Sequence, residues 1–349
     1  MAGSLGAPAL VRYAAVVGRV LGAMPAAATP GGRVKILGEG FALADAGLPD
    51  VRVGDAQARV LSARASKLTL ALPAGLPGGP APVTVAGAEG STTIQVGARV
   101  ADDLHQVDSP AFDAVGRLHV TYSGSRGQQV PVSIFRIGRD GARESFVSGL
   151  VNPTSMAFGP DGQLYVSSRS EGVVYRVDDS GHYEAAVSDV GVACGLAFAA
   201  DGTLLIGDRS GSIFRVLRNG QVSLLATLPP SVAAYHLAMS PGGDLYVSAP
   251  TLSARDHIYR VSLDGQVETA WSGFGRPQGL AFGPDGALYV AEALSGDSGL
   301  YRLVPGSDAP PRLAVSGEGL VGVAFDPLGG LVLVSNDTAW RLDRLPAGV

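Results

Sequence analysis

Apolar and polar positions follow one pattern six times over residues 110–340: an apolar-rich strand, a turn containing glycine, then a second apolar strand. The clearest copies are Pro110-Ala-Phe-Asp-Ala-Val-Gly-Arg-Leu-His-Val120, Met156-Ala-Phe-Gly-Pro-Asp-Gly-Gln-Leu-Tyr-Val166 and Leu196-Ala-Phe-Ala-Ala-Asp-Gly-Thr-Leu-Leu-Ile206, with further copies beginning at Leu237, Leu280 and Val323. The turn glycines are read as Gly116, Gly162, Gly202, Gly243, Gly286 and Gly330, giving spacings of 46, 40, 41, 43 and 44 residues. A third strand follows each copy, marked by an aromatic-Arg-apolar triplet: Phe135-Arg-Ile137, Tyr175-Arg-Val177, Phe214-Arg-Val216, Tyr259-Arg-Val261, Tyr301-Arg-Leu303 and Trp340-Arg-Leu342. A glycine turn and a fourth strand complete the unit. β-Branched and aromatic residues between Pro-Asp-Gly turns are hairpin chemistry. Four strands repeated at a fixed period predict the blades of a β-propeller.

The last unit is one strand short at its C-terminal end. The segment Ala98-Arg-Val-Ala-Asp-Asp103 aligns with the fourth strands and is expected to pair with the final unit, closing the ring and hiding a sheet edge. Residues 1–97 lack the repeat. Short strands are expected there at 33–37, 51–53, 58–63, 68–72, 82–85 and 92–96, a spacing that suggests a small antiparallel sandwich. The expected fold is therefore all-β: a small antiparallel sandwich over 1–97, then a six-bladed propeller over 98–349 closed by 98–103.

Composition narrows the function. The chain has 349 residues, 26 basic and 31 acidic side chains and a net charge of −5, with no charge block. Nucleic-acid binders need a concentrated basic surface, so a nucleic-acid partner is not expected. Only Lys35 and Lys67 are lysines, so 26 − 2 = 24 of the basic residues are arginines. Apolar runs are three to six residues long, so a membrane partner is not expected either. Arg12 and Arg19 break the apolar N-terminal stretch, making it a poor signal peptide and favouring the cytoplasm. The single Cys194 excludes an intramolecular disulfide and, among apolar neighbours, reads as an inert buried thiol.

Two resemblances follow from the motifs. Pro30-Gly-Gly-Arg-Val-Lys-Ile-Leu-Gly-Glu-Gly-Phe41, Val51-Arg-Val-Gly-Asp-Ala56, Leu72-Pro-Ala-Gly75 and Val83-Thr-Val85 resemble an IPT/TIG immunoglobulin-like domain, which implies a spacer or protein-contact module. Arg276-Pro-Gln-Gly-Leu-Ala-Phe-Gly-Pro-Asp-Gly-Ala-Leu-Tyr-Val-Ala291 resembles the repeat of NHL and gluconolactonase-type (senescence marker protein) six-bladed propellers. The second resemblance implies a lactone or ester hydrolase with one divalent metal (calcium, zinc or manganese) on the axis. Its ligand column holds Asp108, Thr154, Cys194, Tyr235, Gln278 and Val321 here, so Asp108 is the only carboxylate. Asp108, Asn152 and Gln278 are the candidate metal ligands; Asp108 and Gln278 equally suit capping of backbone groups.

Inner strands that start at the axial entrance place the loops after second strands on that same face. Those loops carry Arg126, Arg169, Arg209 and Arg255, and Arg276 enters at an inner-strand start. Arginine forks match carboxylate and phosphate, so Arg126, Arg169, Arg209 and Arg276, with Gln278 and Asn152, are candidate binders of a small anionic molecule. His236, beside Tyr235, is a candidate general base, or a buried histidine satisfying a carbonyl; His105 also lies near the entrance. With Asp108 they form the candidate catalytic set. The long loops 123–130, 249–256 and 293–298 fall on the same face. Two functions stay open: lactone or ester hydrolysis at the axial pocket, and a non-catalytic propeller that binds a ligand or a protein.

Overall fold

The computed structural model describes residues 17–41, 48–105, 109–293 and 297–346. Those residues hold strands and turns and no α-helix, in a β-propeller arrangement. Five separate four-stranded sheets are present. One of them, for example, runs Ala193–Phe198, Leu204–Asp208, Ser212–Val216, Val222–Thr227 in chain order from inside out. A further run of four, Pro277–Phe282, Leu288–Glu292, Gly299–Leu303 and Arg312–Ser316, continues through Ala27–Ala28 into the N-terminal strands as one thirteen-stranded sheet.

Position within the unit sets composition. Second strands are sandwiched on both faces and are rich in apolar residues, as in the fully buried Leu118–Thr121, Leu245–Ser248 and Leu331–Val334. Fourth strands face solvent, and in Tyr183–Val187 only Val187 is buried. The segment expected to close the ring forms the strand Ala98–Ala101, antiparallel to Ala339–Leu342 with Ala98 opposite Arg341.

The turns of the repeat share one electrostatic device. A turn carboxylate binds an arginine of the third strand: Asp161 with Arg176 at 3.1 Å, Asp244 with Arg260 at 2.8 Å, Asp285 with Arg302 at 2.9 Å, and Asp326 with Arg341. The left-handed turn glycine at φ near +80° is Gly116, Gly162, Gly202, Gly243 and Gly286, as read from the sequence. In the last unit it is Gly329 (φ +85°) and not Gly330, because the Gly-Gly pair let the sequence register slip by one. Gly330 instead donates its backbone N–H to the Asp326 carboxylate at 3.0 Å.

The N-terminal strands enclose a core of their own, built on Val34, Ile36, Leu68, Leu70, Val83 and Ile94. All six expected N-terminal strands are present. Ala28 lies parallel to Ser316, the Thr29 N–H donates to the Ser316 carbonyl at 2.8 Å, and the Arg33 N–H donates to Ser316 Oγ at 2.7 Å. Two ion pairs flank this seam, Lys35–Asp297 at 2.6 Å and Arg33–Glu318 at 3.2 Å.

Candidate functional site

Inner strands of every unit line an axial cavity of about 350 Å³. The repeat stacks its residues in layers along this cavity. One end carries Ser109, Ser155, His236 and Gly279; Met156, Leu196, Leu237, Leu280 and Val323 follow; Phe198, Met239, Phe282 and Phe325 form the far end. At the level of His236 the other repeats hold Ser109, Ser155, Gly195, Gly279 and Gly322. Glycine is required at 195, where a Cβ would come within 2.4 Å of the Tyr235 carbonyl oxygen.

His236 is thus the one large side chain in a layer of small ones. It is 3% exposed and neither ring nitrogen has a hydrogen-bond partner of ordinary geometry. Burial drives its pKa down to about 4, against an opposing pull from the neighbouring Gln278 side chain, so the ring is neutral at physiological pH. Tyr235 sends its hydroxyl to the Pro229 carbonyl and is fully buried outside the cavity wall. Burial pushes that phenol above its usual range. Tyr235 is therefore a packing residue, and the expected His236–Tyr235 catalytic pairing does not form around the cavity.

Asn152 is a bracket between repeats. Its Oδ1 accepts the Gly127 N–H at 2.6 Å, and its Nδ2 donates to the carbonyls of Ser123 and Ser125 at 2.8 and 2.9 Å. Every polar atom of the amide is engaged, and its φ of +47° suits asparagine. The same amide, the candidate ligand for a metal or a substrate, here holds the loop of Arg126. Gln278 stays 7% exposed beside His236, and its carbonyl accepts the Ser248 hydroxyl. Asp108 lies outside the described residues. Among the described residues no group of three or more His, Cys, Asp or Glu side chains comes together. Asn152 and Gln278, the described members of the candidate metal set, are neutral amides, a donor set poor in charge for a divalent cation.

The arginine face is assembled by backbone contacts. The Arg169 N–H donates to the Asn152 carbonyl, the Arg209 N–H to the Val192 carbonyl, and the Ala293 N–H to the Arg276 carbonyl. These bonds seat the loops after the second strands against the starts of inner strands, on one side of the ring. Arg126, Arg209 and Arg255 are exposed, and Arg169 and Arg276 are half-buried. Arg209 Nε donates to the Ser231 carbonyl at 3.2 Å, and Arg255 Nη1 to the Gly273 carbonyl at 2.8 Å. Among the described residues, Arg126, Arg209, Arg255 and Arg276 make no ion pair, whereas of the third-strand arginines Arg136 and Arg302 each make one and Arg176, Arg260 and Arg341 each make two.

Carboxylates of the arginine face bind locally instead. Asp208 accepts the Val192 N–H at 2.8 Å, Asp256 the Thr251 hydroxyl at 2.7 Å, and Glu171 the Ser168 hydroxyl at 2.8 Å. Glu292, fully buried, accepts the N–H groups of Gly275 and Arg276 at 2.9 and 2.8 Å. The sequence reading missed these roles, although the recurrence of an acid at the ends of second strands (Asp208, Glu292) was a usable signal. Loops 123–130 and 249–256 lie on this face; in 293–298 only Ala293, Asp297 and Ser298 are described.

No family model matches the sequence, and no curated protein matches it. Among solved structures the chain is similar to a gluconolactonase from Xanthomonas campestris, with TM-score 0.59 and 17% identity over 71% of this chain and 88% of the other. It is similar to a streptogramin B lyase, with TM-score 0.52 and 11% identity over 69% of this chain and 93% of the other. An auxiliary nutrient binding protein from Bacteroides ovatus aligns with TM-score 0.53 and 14% identity, covering 93% of this chain and 97% of that one. At these identities the likeness establishes the β-propeller fold alone.

Proposed function

We propose that the chain is a ligand-recognition protein with an immunoglobulin-like module over 1–97 and a six-bladed propeller over 98–349, and that it binds an anionic molecule on the arginine face of the propeller. The observation that carries this reading is the contrast between two sets of arginines in one repeat. Arg176, Arg260, Arg302 and Arg341 of the third strands are paired with turn carboxylates and Arg136 with Glu144, while Arg126, Arg209, Arg255 and Arg276, like the third-strand Arg215, make no ion pair among the described residues. An unneutralised guanidinium on an otherwise acidic chain is suited to a carboxylate or phosphate from outside. The N-terminal module offers a second contact surface. The matched length of the nutrient binding protein from B. ovatus, 93% of this chain, supports a recognition role over both parts of the chain.

Lactone or ester hydrolysis is the second reading, favoured by the neutral His236 on the axial cavity and by the gluconolactonase-like fold. In it His236 takes the proton of the attacking water as the new C–O bond forms, and the departing oxygen receives a proton as its bond to the acyl carbon breaks. Both ring nitrogens are enclosed, so a substrate would first have to displace their neighbours, and this favours recognition over catalysis. The two readings separate in one set of measurements on the purified chain. Calorimetry with galacturonate and small dicarboxylates is expected to show binding that an Arg209→Gln, Arg276→Gln double variant weakens about tenfold, as for two exposed charge pairs. A lactone and aryl-ester panel is expected to show no turnover above buffer. Turnover lost in His236→Gln would establish the hydrolase instead.

A further inference from the structure

We infer that the ligand of the arginine face is a chain and not a single small anion: an acidic polysaccharide, bearing carboxylates or sulfates at regular intervals, laid as an arc over four consecutive repeats. This rests on the anionic-ligand reading and adds the class of ligand to it.

Geometry is the first argument. Arg126, Arg169, Arg209 and Arg255 come from the loop between second and third strands in four successive repeats, so they stand at successive angular steps around the ring instead of converging on its axis. A small anion meets one or two such loops, whereas a polymer with a repeating charge meets all four. Each loop is also fixed before any ligand arrives. Asn152 pins the loop of Arg126 through Gly127 and Ser125, and its carbonyl takes the Arg169 N–H. Carbonyls of Ser231 and Gly273 orient Arg209 and Arg255. A preorganised row of charges loses little entropy on binding a chain.

The surrounding acids define where the arc ends. Glu171, Asp208 and Asp256 lie beside it and bind neighbouring hydroxyl and N–H groups, leaving the exposed Asp189 as the carboxylate between the second and third of these repeats. Beyond the fourth repeat the corresponding loops, 293–298 and 335–338, hold no arginine, and Asp297 is paired to Lys35.

Side-chain chemistry selects the polymer. Loops 123–130, 168–172, 208–211 and 249–256 contain no Phe, Tyr or Trp, so nothing on the arc stacks on a base. They do contain Ser125, Gln128, Ser170, Ser210 and Ser253, whose hydroxyl and amide groups suit sugar hydroxyls.

The test is calorimetry on the full chain with galacturonate, its trimer, its heptamer and the methyl-esterified heptamer. Affinity is expected to rise more than tenfold from monomer to heptamer, to fall with added salt, and to vanish on esterification. Arg126→Gln and Arg255→Gln, at the two ends of the arc, are each expected to weaken heptamer binding about threefold while leaving monomer binding within twofold, the scale of single exposed charge pairs. Arg176→Gln, on an ion pair outside these loops, is expected to change neither. Equal affinity for monomer and heptamer would overturn the arc and leave the anionic-ligand reading standing. No binding of either would overturn both. A single-stranded oligonucleotide of equal charge binding more tightly than the heptamer would overturn the polysaccharide assignment.

Discussion

The behaviour of His236 follows from where its ring lies. A neutral imidazole in the fold and a chargeable one in the unfolded chain make stability depend on pH. The folded pKa is about 4 for both His236 and His119, against 6.5 for the free side chain, with burial the first cause in each. Between those values the unfolded state binds more protons, so stability falls as pH drops from about 6.5 and the loss is complete near 4. Each histidine is expected to contribute a loss of up to about 3 kcal/mol across that window. Urea midpoints measured from pH 7 to pH 4 check this, and His236→Gln is expected to flatten roughly half of the slope. A midpoint that stays level down to pH 4 would show that the imidazole is solvated in the fold. The identity and position of His236 were readable because a large polar residue stands in a column of serine and glycine. Its burial was among the readings offered, but the lack of a carbonyl partner for either ring nitrogen was not, since that depends on how the neighbouring repeats pack.

At the scale of elements, the turn carboxylates hold each unit together. Asp326 is 5% exposed and accepts the N–H groups of Leu328 and Gly330 at 2.8 and 3.0 Å as well as Arg341. Arg341 sits on the strand that receives Ala98–Ala101, so the same carboxylate supports the closure of the ring. Asp326→Ala strands two N–H groups and a guanidinium, and is expected to lower unfolding stability by about 2–4 kcal/mol in denaturant titrations. Asp326→Asn, which keeps an acceptor, is expected to lose roughly half as much. The strand pattern was readable because buried second strands and exposed fourth strands impose different compositions on a fixed period. The bracket made by Asn152 was not readable, because it depends on the positions of Gly127, Ser123 and Ser125 in the preceding repeat.

Across the whole molecule, charge is sorted by face. Five of the six third-strand arginines, all but Arg215, are held in ion pairs, while the loops after second strands present guanidinium groups at Arg126, Arg209 and Arg255 that make no salt bridge among the described residues. This sorting was partly readable: the recurrence of arginine after second strands is visible in the sequence, but the diversion of Asp208, Asp256 and Glu292 to nearby N–H and hydroxyl groups is a property of the fold. The N-terminal strands extend the sheet of the Pro277–Phe282 unit through Ser316, so the two parts of the chain are joined by backbone hydrogen bonds and not by the flanking ion pairs alone. The account rests on the arginine face, and the Nε–Hε resonances of the arginines observe it directly. On titration with galacturonate heptamer, the signals of Arg126, Arg169, Arg209 and Arg255, with Arg276 beside them, are expected to shift and saturate together, with those of Arg176, Arg260, Arg302 and Arg341 unmoved. Shifts confined to the third-strand arginines, or none at saturating ligand, would contradict it.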